Sequence, residues 1–467
     1  MKNVRRVVVV GTGVSGLACA NRLLEISSGR GIDLKLVETA SVPGGVLETF
    51  RGGGFLMEGG PDCFITEKTT GMALVKRLGL ESQLIGTNPS LNQSFILHRG
   101  RLEPIPEGFY LLAPTRLTPL LTTRLLSPLG KLRAALEPFI PIRRDVSDES
   151  VGAFVRRRLG REVLDQLAQP LMGGVHNCDP NHLSLSASLP RFRELELKYG
   201  SLLRALAQQP LKGSSKASGA RYSLFATFKD GIRTLADSLL SRLPEGCILT
   251  GCTWMGLVQR ADALWEIQTS GGNLEADAVV LALQPTKMVS ILGSVDPEWK
   301  ELLGGIPAHD SATLNLGFRR DQVGHPLDGF GFVVPDNEGA LMLGTTFSSL
   351  KFAGRAPEGH VLLRTFLGRK AAMALDIEGE RETLRKVFAE VAKVLKVKGE
   401  PIVSKLARYR SSMSYYTPGH LSRADRIQRK SAETPGLFFA GNGLMGSGIP
   451  DCIASGEQAA ESLLTHA

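Results

Sequence analysis

A glycine-rich turn near the start of the chain has the spacing of a loop that binds a dinucleotide pyrophosphate. Gly11, Gly13 and Gly16 form the pattern G-x-G-x-x-G, and an acid, Glu38, lies 22 residues beyond Gly16. In such a turn the first glycine permits the tight bend, the second lets the pyrophosphate approach the backbone, and the third lets helix and strand pack closely. Glu38 can accept hydrogen bonds from the adenosine ribose, and an acid there disfavours the 2′-phosphate of NADP.

The elements that would position this turn are predicted on both sides of it. The β-branched run 5–10 indicates a buried parallel strand, residues 17–26 indicate a helix, and residues 33–37 indicate a second strand. The N-terminus of the helix offers unpaired N–H groups and a partial positive charge to phosphates. Strand, glycine turn, helix, strand and acid, in that order, predict a βαβ unit that binds a dinucleotide.

A second glycine loop lies near the end of the chain. A short apolar run at 437–440 predicts a buried strand, glycines follow between 441 and 448, and residues 451–464 have a helical pattern. A further strand is predicted at 278–282, just before a proline. A strand, glycine loop and helix at each end of the chain predict an α/β fold whose Rossmann-type cofactor domain is assembled from distant segments.

The length of 467 residues is sufficient for two large domains. We predict a cofactor domain that comprises residues 1–85, 218–285 and 406–467. The segments between them, residues 86–217 and 286–405, are predicted to form an inserted α+β substrate domain.

Composition excludes several classes of protein. The chain is 43% hydrophobic and 22% charged, which is typical of a folded protein rather than a disordered one. Its six cysteines contain no C-x-x-C pair, and no apolar run reaches the ~18–20 residues of a spanning helix, so we expect a cytoplasmic protein without disulfides. The net charge of +9 favours an anionic partner, but no nucleic-acid-binding motif is present. The histidines and cysteine within 176–182 match no metal-site spacing, so we interpret them as a turn and predict no metal.

Residues 108–144 are rich in leucine and proline and carry six basic residues against one acid, Glu137. The basic residues are Arg116, Arg124, Lys131, Arg133, Arg143 and Arg144. A helical segment of this composition can lie on an anionic membrane surface. The alternative is a helical pair whose basic face is simply solvated.

Several motifs together resemble the FAD-dependent porphyrinogen oxidases, a group within the flavin amine oxidase superfamily. The motifs are Gly11 to Gly16, Glu38, Pro43-Gly44-Gly45, Glu58-Gly59-Gly60-Pro61-Asp62 and Gly448-Ile449-Pro450-Asp451-Cys452. The resemblance extends along nearly the whole chain. It implies bound FAD and the removal of six electrons from a porphyrinogen in three rounds, each of which passes two electrons to O2 and produces H2O2.

The resemblance also implies which residues contact the ligands. Those expected to bind FAD are Gly11, Thr12, Gly13, Val14, Ser15, Gly16, Glu38, Thr39, Gly44, Gly45, Val46, Gly60, Pro61, Asp62, Cys63, Trp254, Tyr409, Gly446, Gly448 and Ile449. Lys68 and Phe366 are expected to bind the substrate, with Arg364 and Lys405 as further candidates for its propionates. No catalytic acid or base is assigned, because hydride loss from a methylene between two electron-rich pyrroles requires orientation more than a strong base.

The resemblance favours coproporphyrinogen III as substrate, with protoporphyrinogen IX as the alternative. The protoporphyrinogen branch has an arginine just before an aromatic strand, whereas this chain has Asn92-Gln93-Ser94-Phe95 there. The chain departs from the family at Tyr409, where relatives have tryptophan, and at Ser414-Tyr415-Tyr416. More distant alternatives are an amine oxidase, for which the tyrosine pair is the one hint of an aromatic cage, a carotenoid desaturase, or a non-catalytic binder of prenylated proteins.

Overall fold

The computed structural model describes residues 6–27, 31–91, 93–110, 112–114, 117–208 and 224–466. Its strands are β1 (Arg6–Val10), β2 (Asp33–Val37), β3 (Thr49–Gly52), β4 (Phe55–Glu58), β5 (Phe64–Ile65), β6 (Leu84–Gly86), β7 (Phe95–His98), β8 (Arg101–Pro104), β9 (Phe109–Tyr110), β10 (Ala113–Pro114), β11 (Phe225–Phe228), β12 (Ile248–Leu249), β13 (Trp254–Gln259), β14 (Trp265–Thr269), β15 (Leu274–Ala276), β16 (Ala278–Leu281), β17 (Ala308–Arg319), β18 (Gly331–Val333), β19 (Met342–Phe347), β20 (His360–Leu367), β21 (Val403–Ser414) and β22 (Leu437–Phe439).

Its helices are α1 (Val14–Ile26), α2 (Thr69–Arg77), α3 (Leu117–Thr122), α4 (Pro128–Ala135), α5 (Val151–Arg158), α6 (Arg161–Val163), α7 (Gln169–His176), α8 (Leu185–Ser188), α9 (Pro190–Tyr199), α10 (Leu202–Gln208), α11 (Arg233–Leu240), α12 (Pro285–Val295), α13 (Pro297–Gly304), α14 (Ser348–Lys351), α15 (Arg369–Ile377), α16 (Glu380–Leu395), α17 (His420–Ala432) and α18 (Ile449–His466). Short 3₁₀ turns lie at Glu81–Gln83, Glu137–Phe139, Arg320–Gln322 and Asp336–Glu338, and a π turn at Leu164–Ala168. Among the described residues, none of these helices is both long and apolar enough to cross a bilayer.

A parallel sheet in the order β12-β2-β1-β16-β22 joins segments from both ends of the chain. Val7 of β1 lies beside Leu34 of β2 on one side and Ala278 of β16 on the other. Because successive side chains of β1 alternate, Val7 and Val9 pack toward α1 and α18, whereas Val8 and Val10 enter the core on the opposite face. The predicted assembly of an α/β sheet from distant strands is confirmed.

Two helices begin earlier than the sequence pattern indicates. Helix α1 starts at Val14 instead of residue 17, with Gly13 as its N-cap, and α18 starts at Ile449 instead of residue 451. For α1 the start is hard to predict because Gly16 in its first turn contributes nothing to the apolar periodicity of a helix.

A second, seven-stranded sheet has the order β21-β17-β20-β19-β18-β7-β8 and is antiparallel except where β18 meets β7. Its core packs residues of β17 and β20 against α15 and α16. The long strands β20 and β21 pair with β17 on either side. Thr313 of β17 thereby lies next to the loop after β4, where its hydroxyl donates to the carbonyl oxygen of Gly59. A third core lies among the helices between residues 117 and 206.

Two of the predicted domain limits fall within or at the start of an element of the fold. The limit between 405 and 406 falls inside β21, which pairs with β17 from Val403 onward. The limit between 285 and 286 falls at the start of α12, whose buried residues pack against the parallel sheet. Neither the pairing of β21 with β17 nor the packing of α12 on the parallel sheet can be predicted from the local sequence, because the partners lie far apart along the chain. The limit between 217 and 218 lies outside the described residues.

Candidate functional site

The N-terminus of α1 opens toward free space at the carboxyl edge of the parallel sheet. No side chain caps it, and its first turn contains no acid. A Cβ added at Gly13 would meet nothing within 4 Å, whereas one at Gly16 would lie 2.0 Å from the carbonyl oxygen of Gly11. Gly11 itself has φ +101°, and a Cβ there would lie 2.6 Å from the oxygen of Ala282. The turn therefore leaves room beside Gly13 for an anion at a helix N-terminus.

Glu38 is fixed beside this turn at the end of β2. Its carboxylate accepts hydrogen bonds from the Thr12 hydroxyl at 2.5 Å, from the Thr12 N–H at 3.1 Å and from the Ala40 N–H at 2.8 Å. The backbone N–H of Glu38 also donates to Leu249 of β12. The side chain is half-buried, and Thr39 next to it is exposed. This placement fits an acid that binds the adenosine ribose.

The loop at Gly44, Gly45 and Val46 connects this turn to the loop after β4. Gly44 and Gly45 have φ +122° and +60°, and a Cβ at Gly45 would lie 2.9 Å from the Cα of Gly13. A Cβ at Gly60 would lie 2.0 Å from the carbonyl oxygen of Val46. Only glycines permit these backbones to approach so closely, so the predicted residues of three distant segments do meet.

The C-terminal glycine loop joins the same region through α18. A Cβ at Gly456 would lie 2.1 Å from the carbonyl oxygen of Ser15, which shows how closely α18 and α1 pack. Gly446 has φ +70°, and the N–H of Gly448 donates to Asp451 at 3.2 Å. Burial raises the pKa of the Cys452 thiol to about 11. Gly446 and Gly448 thus lie just before α18, which begins at Ile449 and packs against α1.

Lys68 is placed beside this C-terminal loop, but its ammonium is paired. Nζ lies 2.6 Å from both carboxylate oxygens of Asp451, and the Lys68 side chain remains 50% exposed. Lys68 is also the N-cap residue of α2, and the Thr70 hydroxyl donates to the carbonyl of Pro450. The loop around Lys68 is therefore tied to the start of α18.

Asp62, which follows Gly60 and Pro61, lies between two cations of the second sheet. Lys351 Nζ is 3.0 Å from Asp62 Oδ2, and Arg364 is 3.6 Å from Oδ1. Burial alone would raise the pKa of Asp62, but the two cations outweigh it and hold that pKa well below its ordinary value. Burial raises the pKa of the adjacent Cys63 thiol to about 12, so Cys63 is a neutral thiol at pH 7.

Three predicted aromatic residues occupy different surroundings. Tyr409 lies beside the loop after β4: its hydroxyl donates to Glu48 at 2.5 Å, and burial together with that carboxylate raises its pKa. Phe366 lies under the guanidinium of Arg364, 4.7 Å from the ring centroid. Trp254 is buried in the core behind the parallel sheet, and its indole N–H donates to the carbonyl of Gly256.

Lys405 and the tyrosine pair Tyr415 and Tyr416 each contact an aromatic ring nearby. Lys405 lies over the ring of Phe50, with its Nζ 4.3 Å from the centroid. Tyr415 stacks on His309 and Tyr416 on His420, so the tyrosine pair is divided between two histidines. The side chain of His176 lies outside the described residues.

Sequence reasoning missed Lys351 and Glu48. Lys351 ends the short helix α14, and it reaches Asp62 across 289 residues because β19 and β20 carry it there. Glu48 lies just before β3 and follows Val46 by two residues, so its nearness to the predicted glycine loop was the one available signal.

Comparison with known proteins agrees with this arrangement. Residues 14–464 match the family described as flavin containing amine oxidoreductase. The chain belongs to this family, and it is an FAD-dependent oxidoreductase. The cradle beside Gly13, the uncapped helix α1 and Glu38 fit the pyrophosphate and ribose of FAD.

Its relatives include several porphyrinogen oxidases. The chain is 31% identical to coproporphyrinogen III oxidase of Bacillus subtilis (strain 168), over 99% of this chain and 98% of the relative. It is 34% identical to the coproporphyrinogen III oxidase of Propionibacterium freudenreichii subsp. freudenreichii, over 98% of this chain and 91% of the relative. Protoporphyrinogen oxidase 2 of Arabidopsis thaliana is 28% identical, over 99% of this chain and 94% of the relative.

A solved structure has the same overall architecture. The crystal structure of an Exiguobacterium sp. 255-15 protein assigned as a protoporphyrinogen oxidase aligns with a TM-score of 0.87, 28% identity and 99% coverage of both chains.

Proposed function

We propose that this protein oxidises coproporphyrinogen III to coproporphyrin III. Six electrons leave the substrate in three rounds, and three O2 molecules are reduced to three H2O2. The observation that carries the proposal is the similarity, over nearly the whole chain, to relatives named coproporphyrinogen III oxidase. FAD, when bound, supplies the two-electron acceptor in each round.

The residues of this chain are proposed to bind and orient, not to transfer protons. The turn at Gly11 to Gly16 and Glu38 hold the pyrophosphate and ribose, and the start of α18 presents a helix N-terminus to the cofactor. Lys68 and Phe366 are proposed to contact the substrate. The net charge of +9 attracts a substrate that carries four carboxylates.

The experiment is anaerobic reduction of the purified flavoprotein by each porphyrinogen. Coproporphyrinogen III should bleach the flavin absorbance, and admission of air should restore it as porphyrin fluorescence rises. Bleaching by protoporphyrinogen IX with a much larger kcat/KM would favour the alternative substrate, which the plant relatives support. Failure of both compounds to reduce the flavin would contradict the proposed function.

We also propose a peripheral contact with an anionic membrane through the surface formed by residues 121–144, which lies within the basic segment 108–144. This surface exposes Leu129 and Phe139, each more than three-quarters accessible. Arg124 and Arg144 are exposed on the same segment. Apolar side chains beside cations are typical of a surface that rests at a lipid interface.

A further inference from the structure

A cluster of two cations and one carboxylate lies between the loop after β4 and the second sheet. Lys351, Asp62 and Arg364 form it, with Nζ of Lys351 3.0 Å from one Asp62 oxygen and Arg364 3.6 Å from the other. Arg364 also donates to the carbonyl oxygens of Gly59 and Gly60. The cluster therefore connects the glycine loop near the cofactor site to β20 and α14.

The cluster carries more positive than negative charge. In the part of the chain that the structure describes, Asp62 is the one carboxylate within ion-pair distance of Lys351 or Arg364. The neighbouring Glu58 is paired with Arg355 at 3.9 Å. The buried Nε of Arg364 has no hydrogen-bond partner within those same limits. An unmatched positive charge in a poorly solvated place is costly unless an anion completes it.

The surroundings of the cluster are aromatic, and one side of the cluster is accessible. Lys351 Nζ lies 4.8 Å from the ring centroid of Phe352 and 5.6 Å from that of Phe225, and Arg364 covers Phe366. The side chains of Lys351 and Asp62 keep 15% and 16% of their surface exposed, whereas that of Arg364 keeps 3%, so a ligand can reach the cluster from the Lys351 side. Aromatic faces beside cations suit a ligand that combines a pyrrole ring with a carboxylate.

We propose that Lys351 and Arg364 bind a carboxylate of the tetrapyrrole substrate, with Asp62 as the counter-ion that keeps the two cations in place when substrate is absent. This inference rests on the proposed function and names residues that would favour a substrate with four carboxylates over one with two. Lys351, which is more exposed than Arg364, makes the direct contact, and Arg364 completes the cation pair from its position over the ring of Phe366.

The test is equilibrium binding of coproporphyrin III, the proposed product, and of protoporphyrin IX, the product of the alternative substrate, to the FAD-loaded protein, measured by fluorescence quenching. Lys351→Met should raise the Kd for coproporphyrin III at least about tenfold, because one cation of a partly buried pair is lost. The increase for protoporphyrin IX should be smaller. Lys351→Arg keeps the charge and should restore most of the affinity.

Lys430→Met is the matched control, because Lys430 is also largely buried, pairs with Asp296 and Glu298, and lies over the ring of Trp299 away from the site. Its porphyrin affinity should equal that of the wild type. An unchanged Kd in Lys351→Met, or a changed flavin midpoint potential with an unchanged Kd, would overturn the inference. Porphyrinogen oxidation by the wild type would still stand in that case, so the two failures are distinguishable.

Discussion

Gly13 is the residue at which cofactor binding and folding can be separated. A Cβ there meets open space, and its φ of −63° is accessible to any residue. Gly13→Val should therefore fold normally yet fill the space expected for the pyrophosphate. We predict that the purified variant loses most of its flavin, a loss of about 1.4 kcal/mol or more in FAD binding, since each tenfold weakening corresponds to that amount.

Absorbance at the flavin bands relative to protein measures this loss, and circular dichroism checks the fold. Gly31→Val is the matched control, because a Cβ at Gly31 also meets nothing within 4 Å and the residue lies before β2, outside the glycine turn. It should keep the full flavin content. A Gly13→Val protein that retains stoichiometric flavin would show that the cofactor is held elsewhere.

Lys68 is half exposed and already paired, which limits what it can contribute to substrate binding. An ion pair with that exposure is worth up to about 1 kcal/mol. Lys68→Met should therefore raise KM for coproporphyrinogen III by less than about fivefold with little change in kcat, because the contact would form equally in ground and transition states. The increase should be smaller for protoporphyrinogen IX.

Steady-state kinetics with both substrates measures this effect. Asp451→Asn should lower KM, since it frees Lys68 while the amide oxygen can still accept from Gly448. Lys386→Met, which removes an exposed lysine paired with Glu378, is the control. Identical KM values for the wild type, Lys68→Met and Asp451→Asn would remove Lys68 from the substrate site.

The glycine spacing and Glu38 were predictable because their roles depend on neighbours within one βαβ unit. Lys351 was not, because its partner Asp62 is 289 residues away and a lone lysine is most often a solvated surface group. The contact of Trp254 with the cofactor stays a prediction: its side chain packs in the core behind the parallel sheet, and an aromatic residue that opens a strand has the same local pattern whether it faces a ligand or the interior.

The 3₁₀ turn at Glu137–Phe139 anchors two helices, α5 and α10, through one buried carboxylate. Glu137 accepts from Nε of Arg158 in α5 at 2.7 Å and from the N–H of Leu202 in α10 at 2.9 Å. Both Glu137 and Arg158 are fully buried. The sequence shows Glu137 only as the single acid of a basic segment, because its partners lie 21 and 65 residues away.

We predict that Glu137→Ala destabilises the protein by about 3–5 kcal/mol, because the buried Arg158 guanidinium loses its hydrogen-bonded carboxylate and keeps the longer ion pair with Glu196 at 3.6 Å. Thermal unfolding followed by circular dichroism should show a lower midpoint. Glu378→Ala, which breaks an exposed ion pair with Lys386, should change stability by less than about 1 kcal/mol. Equal midpoints for the two variants would show that the buried pair is dispensable.

Hydrophobic periodicity predicts some strands of this fold and not the sheet to which others belong. The strands of the parallel sheet were predictable because their apolar runs are short, β-branched and followed by glycines. The membership of β21 in the second sheet was not, since Val403–Ser414 is only half-buried along its length and its place depends on pairing with β17. A local pattern cannot identify a partner strand almost a hundred residues away.

At the scale of the whole molecule, the surface at 121–144 combines exposed apolar side chains with basic ones. Leu129 is 78% and Phe139 76% exposed. Not every basic residue of the segment is free to meet lipid: the guanidinium of Arg133 donates to the carbonyl oxygens of Arg157 and Arg158, which makes it a structural contact. Arg116 lies outside the described residues.

Membrane contact should therefore depend on the apolar tips together with Arg124 and Arg144. We predict that Leu129→Ser with Phe139→Ser abolishes cosedimentation with anionic vesicles, because full burial of each side chain is worth about 1.5–3 kcal/mol. Charge reversal of the two arginines should weaken binding by about 1 kcal/mol per basic contact, an effect that salt screens. Ile377→Ser, at a side chain that is 78% exposed on α15, should leave binding intact. Equal cosedimentation of all these variants would leave the segment as a solvated helical face.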